Sequence, residues 1–164
     1  MLVANVTARM VDYFGTDVRR INHALKVYGF ASLIGRKEDL TAVELEITDL
    51  AAVLHDIGIP VSELKYQSSA GRYQEIEGPP IARKILEEIG VLPDIIDRVC
   101  FLIGNHHTYT TIDGIDFQIL VEADFLVNFF EDEMSESAIK SVREKYFKTK
   151  TGISILDQMY LTIA

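Results

Sequence analysis

Residues 50–60 read LAAVLHDIGIP, with His55 and Asp56 placed directly behind an apolar run. Leu50, Ala51, Ala52, Val53 and Leu54 suit a helix buried on nearly every side, and Gly58 followed by Pro60 ends it. An aspartate is rarely buried unless it is paired or holds a cation, because desolvating a lone carboxylate is very costly. Asp56 therefore needs a partner. A divalent cation is one, and the neighbouring imidazole of His55 is a ready co-ligand. The competing reading turns the His-Asp pair to solvent, with Asp56 bonded to local backbone ahead of Gly58.

Outward from this stretch the periodicity is helical nearly throughout. Thr41 opens the helix that ends at the His-Asp pair, with Glu44 three residues on as in a capping box. Its apolar positions are Val43, Ile47, Leu50, Ala51 and Leu54. Upstream, Thr16 or Asp17 caps a helix carrying Ile21, Ala24, Leu25, Tyr28 and Ala31 or Ser32 on one side. Downstream, QSSAGRYQEIEG reads as a polar loop, and Pro79–Pro80 begins a helix that closes at Gly90. Pro93 starts PDIIDRVCFLIGNHH, and Asp116 starts DFQILVEADFLVNFFED. Two helices around SESAIKSVREKYF and ISILDQMYLTI follow. TYTTIDGI is the one short strand candidate and reads better as a loop. The expected fold is all-α, a compact helical bundle. With no internal repeat, linker or low-complexity stretch, residues 1–164 are expected to form a single domain, with C-terminal helices at 135–163.

Composition narrows the function classes. The 164 residues are 48% apolar and 25% charged, an ordinary globular balance. A net charge of −9 argues against a nucleic-acid polymer, whose backbone needs clustered Lys and Arg. It leaves room for one small phosphorylated molecule held by a metal and a few local cations. No run has the length of a membrane span, and MLVANVTARMVDYFG lacks the features of a secretory leader. The lone Cys100, in RVCFLIG, excludes an internal disulfide and reads as a buried, inert thiol. These features point to the cytoplasm. The apolar segments FLVNFF and YLTIA are candidate homodimer contacts.

Four histidines, His23, His55, His106 and His107, each lie inside or at the end of an expected helix. One alone would be read as a core residue. Asp124, in ILVEADFLVNFF, repeats the difficulty posed by Asp56, since apolar groups surround it on nearly every side. Glu122 can be a surface residue two positions away. A salt bridge to Arg98 is the alternative partner for Asp124.

The order of these residues resembles the HD-domain superfamily of metal-dependent phosphohydrolases. A histidine on an early helix (INHALKVYGFASLI), the HD pair (LAAVLHDIG), a GNHH segment and an aspartate in an apolar helix (LVEADFL) follow one another over about residues 16 to 130. The resemblance implies an all-α fold and a divalent metal held by His23, His55, Asp56 and Asp124. The ion would be Mn, Fe, Mg, Co, Ni or Zn. Some members of the superfamily hold a second ion through two further histidines. The stretches that match are IEGPPIARKIL and GNHHTY, which makes Glu77 and His107 the candidate second-ion ligands. Glu77 departs from the pattern, standing where a histidine is expected; a helix-start carboxylate favoured by the macrodipole is its other reading.

The resemblance implies hydrolysis of a phosphoester in a small phosphorylated substrate, a nucleotide foremost; nucleoside monophosphates, cyclic nucleotides, dinucleotide polyphosphates and guanosine alarmones are all hydrolysed by relatives. Asp56 would orient or deprotonate the attacking water, and His106, or His107 if it is not a ligand, would protonate the leaving oxygen. After HDIG come Ile59 and Pro60, which can do neither proton transfer nor phosphate binding, and Glu63 is the first acidic residue. Candidate phosphate contacts are Arg19 and Lys26, flanking His23 on nearly one helical face, and Arg72 in the loop that could cover the site. Lys65 and Arg83 are weaker candidates. Two other function classes compete: a nucleotide- or metal-binding regulatory module without turnover, and a helical interaction protein whose histidines are packing groups.

Overall fold

The computed structural model describes residues 2–161. Thr162–Ala164, the end of the YLTIA segment, lie outside the described residues. Among the described residues nine α-helices run in the order α1 (Leu2–Phe14), α2 (Val18–Lys37), α3 (Ala42–Leu54), α4 (Ile59–Tyr66), α5 (Gly71–Ile89), α6 (Pro93–Ile103), α7 (Ile115–Glu131), α8 (Glu136–Tyr146) and α9 (Lys150–Tyr160). The expected all-α fold is present, and no strand occurs among the described residues. TYTTIDGI holds a single 3-10 turn, Tyr109–Thr111.

Helix α3 is the hub, packed against α1, α2, α6 and α7. Every residue from Ile47 to Leu54 is buried, as a helix surrounded by others requires. Its capping box is complete. Thr41 Oγ1 accepts from the Glu44 N–H at 3.2 Å, and the Glu44 carboxylate accepts from the Thr41 N–H at 2.9 Å. Asp17, rather than Thr16, caps α2 by accepting from the Arg20 N–H. The buried face of α2 carries His23, Ala24, Val27, Ala31 and Ile34, whereas Leu25 is exposed. The apolar stripe is thus rotated from the expected one, and the rotation is what turns His23 inward.

Several expectations are corrected. The helix expected to open at Pro79–Pro80 starts at Gly71, and both prolines lie in its interior. Each proline costs an intrahelical hydrogen bond to the carbonyl four residues back, but Gly78 has no Cβ to clash with the Pro79 ring; the Cys100 thiol separately ties the segment to α6 by donating to the Pro79 carbonyl at 3.4 Å. The loop expected over QSSAGRYQEIEG therefore shrinks to its first few residues. Helix α1, which carries Val6, Met10 and Phe14 into the core, and the short α4 have no counterpart in the sequence reading. Glu122 is not at the surface: it is fully buried on α7, where it accepts from the backbone N–H groups of Lys148 and Thr149. Of FLVNFF, Phe130 alone is exposed (75%); Leu126, Val127 and Phe129 are core residues. Cys100 is buried, and burial raises its thiol pKa.

Candidate metal centre

His55 follows the last residue of α3 and, with Asp56, occupies the turn into α4. That turn is held against α5 by a close backbone approach at Gly58. A Cβ there would stand 2.6 Å from the Gly78 nitrogen and 2.8 Å from the Gln74 carbonyl oxygen. Gly58→Ala is accordingly expected to push the turn from α5, costing about 1–3 kcal/mol, read as a lowered urea midpoint.

Each of three imidazoles is fixed through Nδ1, leaving Nε2 to face the centre. His55 Nδ1–H donates to the Ala52 carbonyl (2.9 Å) and His106 Nδ1–H to the Ile103 carbonyl (2.7 Å). His23 Nδ1 lies 3.0 Å from Glu131 Oε2; a carboxylate has no proton to give, so the imidazole donates. His23 Nε2 is then 3.2 Å from His55 Nε2, 3.2 Å from Asp124 Oδ1 and 3.6 Å from Asp56 Oδ2. His55 Nε2 lies 3.5 Å from Asp56 Oδ2 and 3.7 Å from Asp124 Oδ1. The ligating atoms of His23, His55 and Asp56 all fall within 4.8 Å of one another. Asp56, His106 and His107 form a second such group. Asp56 belongs to both, with Oδ1 3.7 Å from His106 Nε2.

This donor set fits a divalent cation. Two imidazole lone pairs face each other across 3.2 Å, and the buried Nε2 of His106 has no hydrogen-bond partner. Lone pairs so placed need positive charge between them. A proton on His23 supplies it when no ion does. Burial opposes that charge, but Asp124, Asp56 and Glu131 outweigh it and raise the His23 pKa to about 9. His55, buried more deeply, is pushed down instead. Burial works against the Asp56 and Asp124 charges too, yet the surrounding imidazoles hold both below the usual carboxylate range. Burial and the neighbouring His106 lower His107 to about 4.

Other expected site residues are placed differently. Arg98 is taken by Asp113 and Asp116 at 2.7–3.0 Å, so it is not the partner of Asp124. Glu77 joins neither group of ligating atoms: Lys65 Nζ donates to it at 2.7 Å and Tyr66 OH at 2.8 Å. The earlier start of α5 explains the correction, since one helical turn before Glu77 it places Gln74, whose Oε1 lies 3.5 Å from His107 Nε2. Arg72 is not in a covering loop but in the first turn of α5, exposed, its guanidinium over the Tyr73 ring and bonded to that phenol. Lys26 turns to Glu131, Glu63 to Arg20 and Arg83 to Asp97. Arg19 does reach the centre's approach. It lines a cleft of about 330 Å³ together with Arg20, His23, Asp56, Gln74 and Asn128.

The sequence reading missed Gln74, Asn128 and Glu131. Asn128 and Glu131 follow Asp124 by four and seven residues, one helical face, and Asn128 Nδ2 donates to Asp124 Oδ1 at 2.9 Å. That spacing was a usable signal. Gln74 offers no such signal, because the polar composition of its segment reads as a loop.

No curated protein sequence matches the chain. Among solved structures it is similar to a predicted HD superfamily hydrolase from an uncultured Thermotogales bacterium, with a TM-score of 0.69 and 24% identity over 96% of this chain and 84% of that one. At that identity the likeness is one of fold. No helix among the described residues is long and apolar enough to cross a membrane. The family model of the HD domain matches residues 20–151, a span that takes in His23, the His-Asp turn, both later histidines and Asp124. On that match the chain belongs to the HD-domain family of metal-dependent hydrolases.

Proposed function

We propose that the protein is a metal-dependent phosphohydrolase acting on a small phosphorylated molecule, a nucleotide foremost, in the cytoplasm. The observation that carries the reading is the convergence of His23 Nε2, His55 Nε2, Asp56 and Asp124, of which His23 and Asp56 open onto a cleft that Arg19 and Arg20 also line. When bound, a divalent ion supplies Lewis-acid stabilisation of phosphoryl charge and a nucleophile at neutral pH. The four side chains hold that ion. Asp56, kept charged, is the proton acceptor nearest both ligand groups. Arg19, exposed at the cleft, meets the phosphate; Arg20 is already engaged by Asp17 and Glu63. His107, held neutral, offers a lone pair rather than a proton. The proton for the leaving oxygen falls to His106: burial opposes its charge, but Asp56 outweighs burial and raises its pKa. Occupation of a second position by Asp56, His106, His107 and Gln74 would give His106 the role of ligand instead. The stoichiometry of ion binding, one or two equivalents, separates these arrangements. Residues 1–164 serve as one HD domain in this reading, and the exposed Phe130 is the residue of FLVNFF available to a homodimer contact.

Purified protein is expected to hold one of Mn, Fe, Mg, Co, Ni or Zn and to turn over at least one member of a phosphoester panel. A chain that binds none of these ions removes the proposal, and one that binds ion and nucleotide without turnover is a regulatory module. Arg19→Ala should raise KM about 10-fold or more for the substrate found, with kcat less affected, since a charge-assisted phosphate contact contributes about 1.5–3 kcal/mol. Ion binding should also release a proton. With its pKa near 9, His23 is protonated at pH 7 without an ion, so loading expels about one proton and apparent affinity rises with pH toward 9. Titration calorimetry at pH 7 in buffers of different ionisation enthalpy reads that number directly.

A further inference from the structure

We infer that Glu131 is a positioning residue, the group that decides which nitrogen of His23 faces the cation. The inference rests on the metal reading above and adds a residue to it. His55 and His106 lie in turns just behind helices, where main-chain carbonyls three residues back accept from Nδ1–H. His23 lies inside α2, where the carbonyls are used by the helix itself. Its Nδ1 needs a side-chain acceptor, and α7 provides one: Glu131 Oε2 at 3.0 Å. Glu131 stands two turns after Asp124 on the same face, so one helix supplies both a ligand and the acceptor that orients another ligand. Its second oxygen is bonded to Lys26 Nζ, one turn from His23 on α2. The side chain is 14% exposed, and Lys26 is its solvent-facing counter-charge.

The consequence is physical. An imidazole donating Nδ1–H to a carboxylate is held in the tautomer whose Nε2 carries the lone pair, and its basicity toward a metal is increased. Without that acceptor the His23 ring is free to rotate or change tautomer, and the Nε2 that stands 3.2 Å from both His55 and Asp124 is no longer fixed there. Lys26 balances charge without touching His23. It is therefore expected to be dispensable for orientation.

Titration of Mn²⁺ into the full chain at one fixed pH tests this, with Glu131→Ala, Glu131→Gln and Lys26→Met beside the wild type. Glu131→Ala should weaken the wild-type affinity about 10–100-fold. Glu131→Gln, which keeps an acceptor but no charge and is the variant to use if the alanine does not fold, should fall between the two. Lys26→Met should stay within about threefold of wild type, on the argument that only the His23 contact orients the ring. The unfolding midpoint without ion is measured alongside. A role confined to packing would lower that midpoint in Glu131→Gln and leave Mn²⁺ affinity unchanged, which overturns the inference. Equal weakening by Lys26→Met overturns it too, because the ion pair would then be what matters. Failure of the wild type to bind Mn²⁺ or any other divalent ion removes the metal reading itself, whereas full affinity in the Glu131 variants removes only this inference.

Discussion

Asp56→Asn is expected to abolish phosphoester turnover, lowering kcat by at least about 10³-fold, the scale for a group acting at the reacting atoms. Asparagine keeps the shape of the side chain and takes away its charge. That charge is the feature shared by the two groups of ligating atoms: Oδ2 faces His23 and His55, Oδ1 faces His106. The imidazoles around it hold the carboxyl charged at any working pH, against the burial that opposes it, so the wild type always presents an anion there. An amide would leave three Nε2 atoms turned toward a neutral dipole. The loss should appear in ion binding as well as in turnover, and in a two-ion arrangement it should remove both equivalents. Steady-state kinetics and Mn²⁺ stoichiometry on one preparation check this. A variant retaining a tenth of wild-type kcat would place the chemistry elsewhere.

The part of this centre that could be read from sequence is the part held by buried polarity. His55 and Asp56 announce themselves because an apolar helix ends on them, and Asp124 because apolar residues surround it. Sequence could not show that Arg98 spends its guanidinium on Asp113 and Asp116, which is what leaves Asp124 to the imidazoles. It also misplaced the start of α5. Two adjacent prolines are the strongest local signal for a helix start, and here tertiary contact overrides it: Gly78 lies against Gly58, and the Pro79 carbonyl finds the Cys100 thiol. That single boundary accounts for two errors, the assignment of Glu77 to a second ion and of Arg72 to a lid. Glu131 is a different case. Its spacing from Asp124 was visible, but only the packing of α2 on α7 shows that the imidazole it meets belongs to His23.

The largest expected loss of stability lies outside the centre. Glu122→Ala should cost about 3–5 kcal/mol, since each buried donor left without an acceptor costs about 1–3 kcal/mol and the carboxylate serves several. Glu122 accepts from the Lys148 N–H at 2.6 Å, the Thr149 N–H at 2.9 Å, the Thr149 hydroxyl at 2.5 Å and the Gln118 amide at 2.7 Å. The Lys148 and Thr149 donors form the entry to α9, whereas Gln118 is on α7 itself, so the buried acid ties the C-terminal helices to α7. Gly152→Ala attacks the same joint from the other side. Its Cβ would stand 1.9 Å from Glu122 Oε2 and 2.7 Å from Thr149 Oγ1, and neither atom can move without breaking the bond between them. Both variants should lower the urea midpoint and strip hydrogen-exchange protection from residues 148–153 before that of α3. Glu122 and Asp124 are two positions apart on α7 and so point to nearly opposite sides of it. The molecules that remain folded should therefore still bind Mn²⁺ with wild-type affinity. A Glu122→Ala protein that is fully stable but no longer binds the ion would reverse this assignment, making Glu122 a part of the centre rather than the anchor of the C-terminal helices.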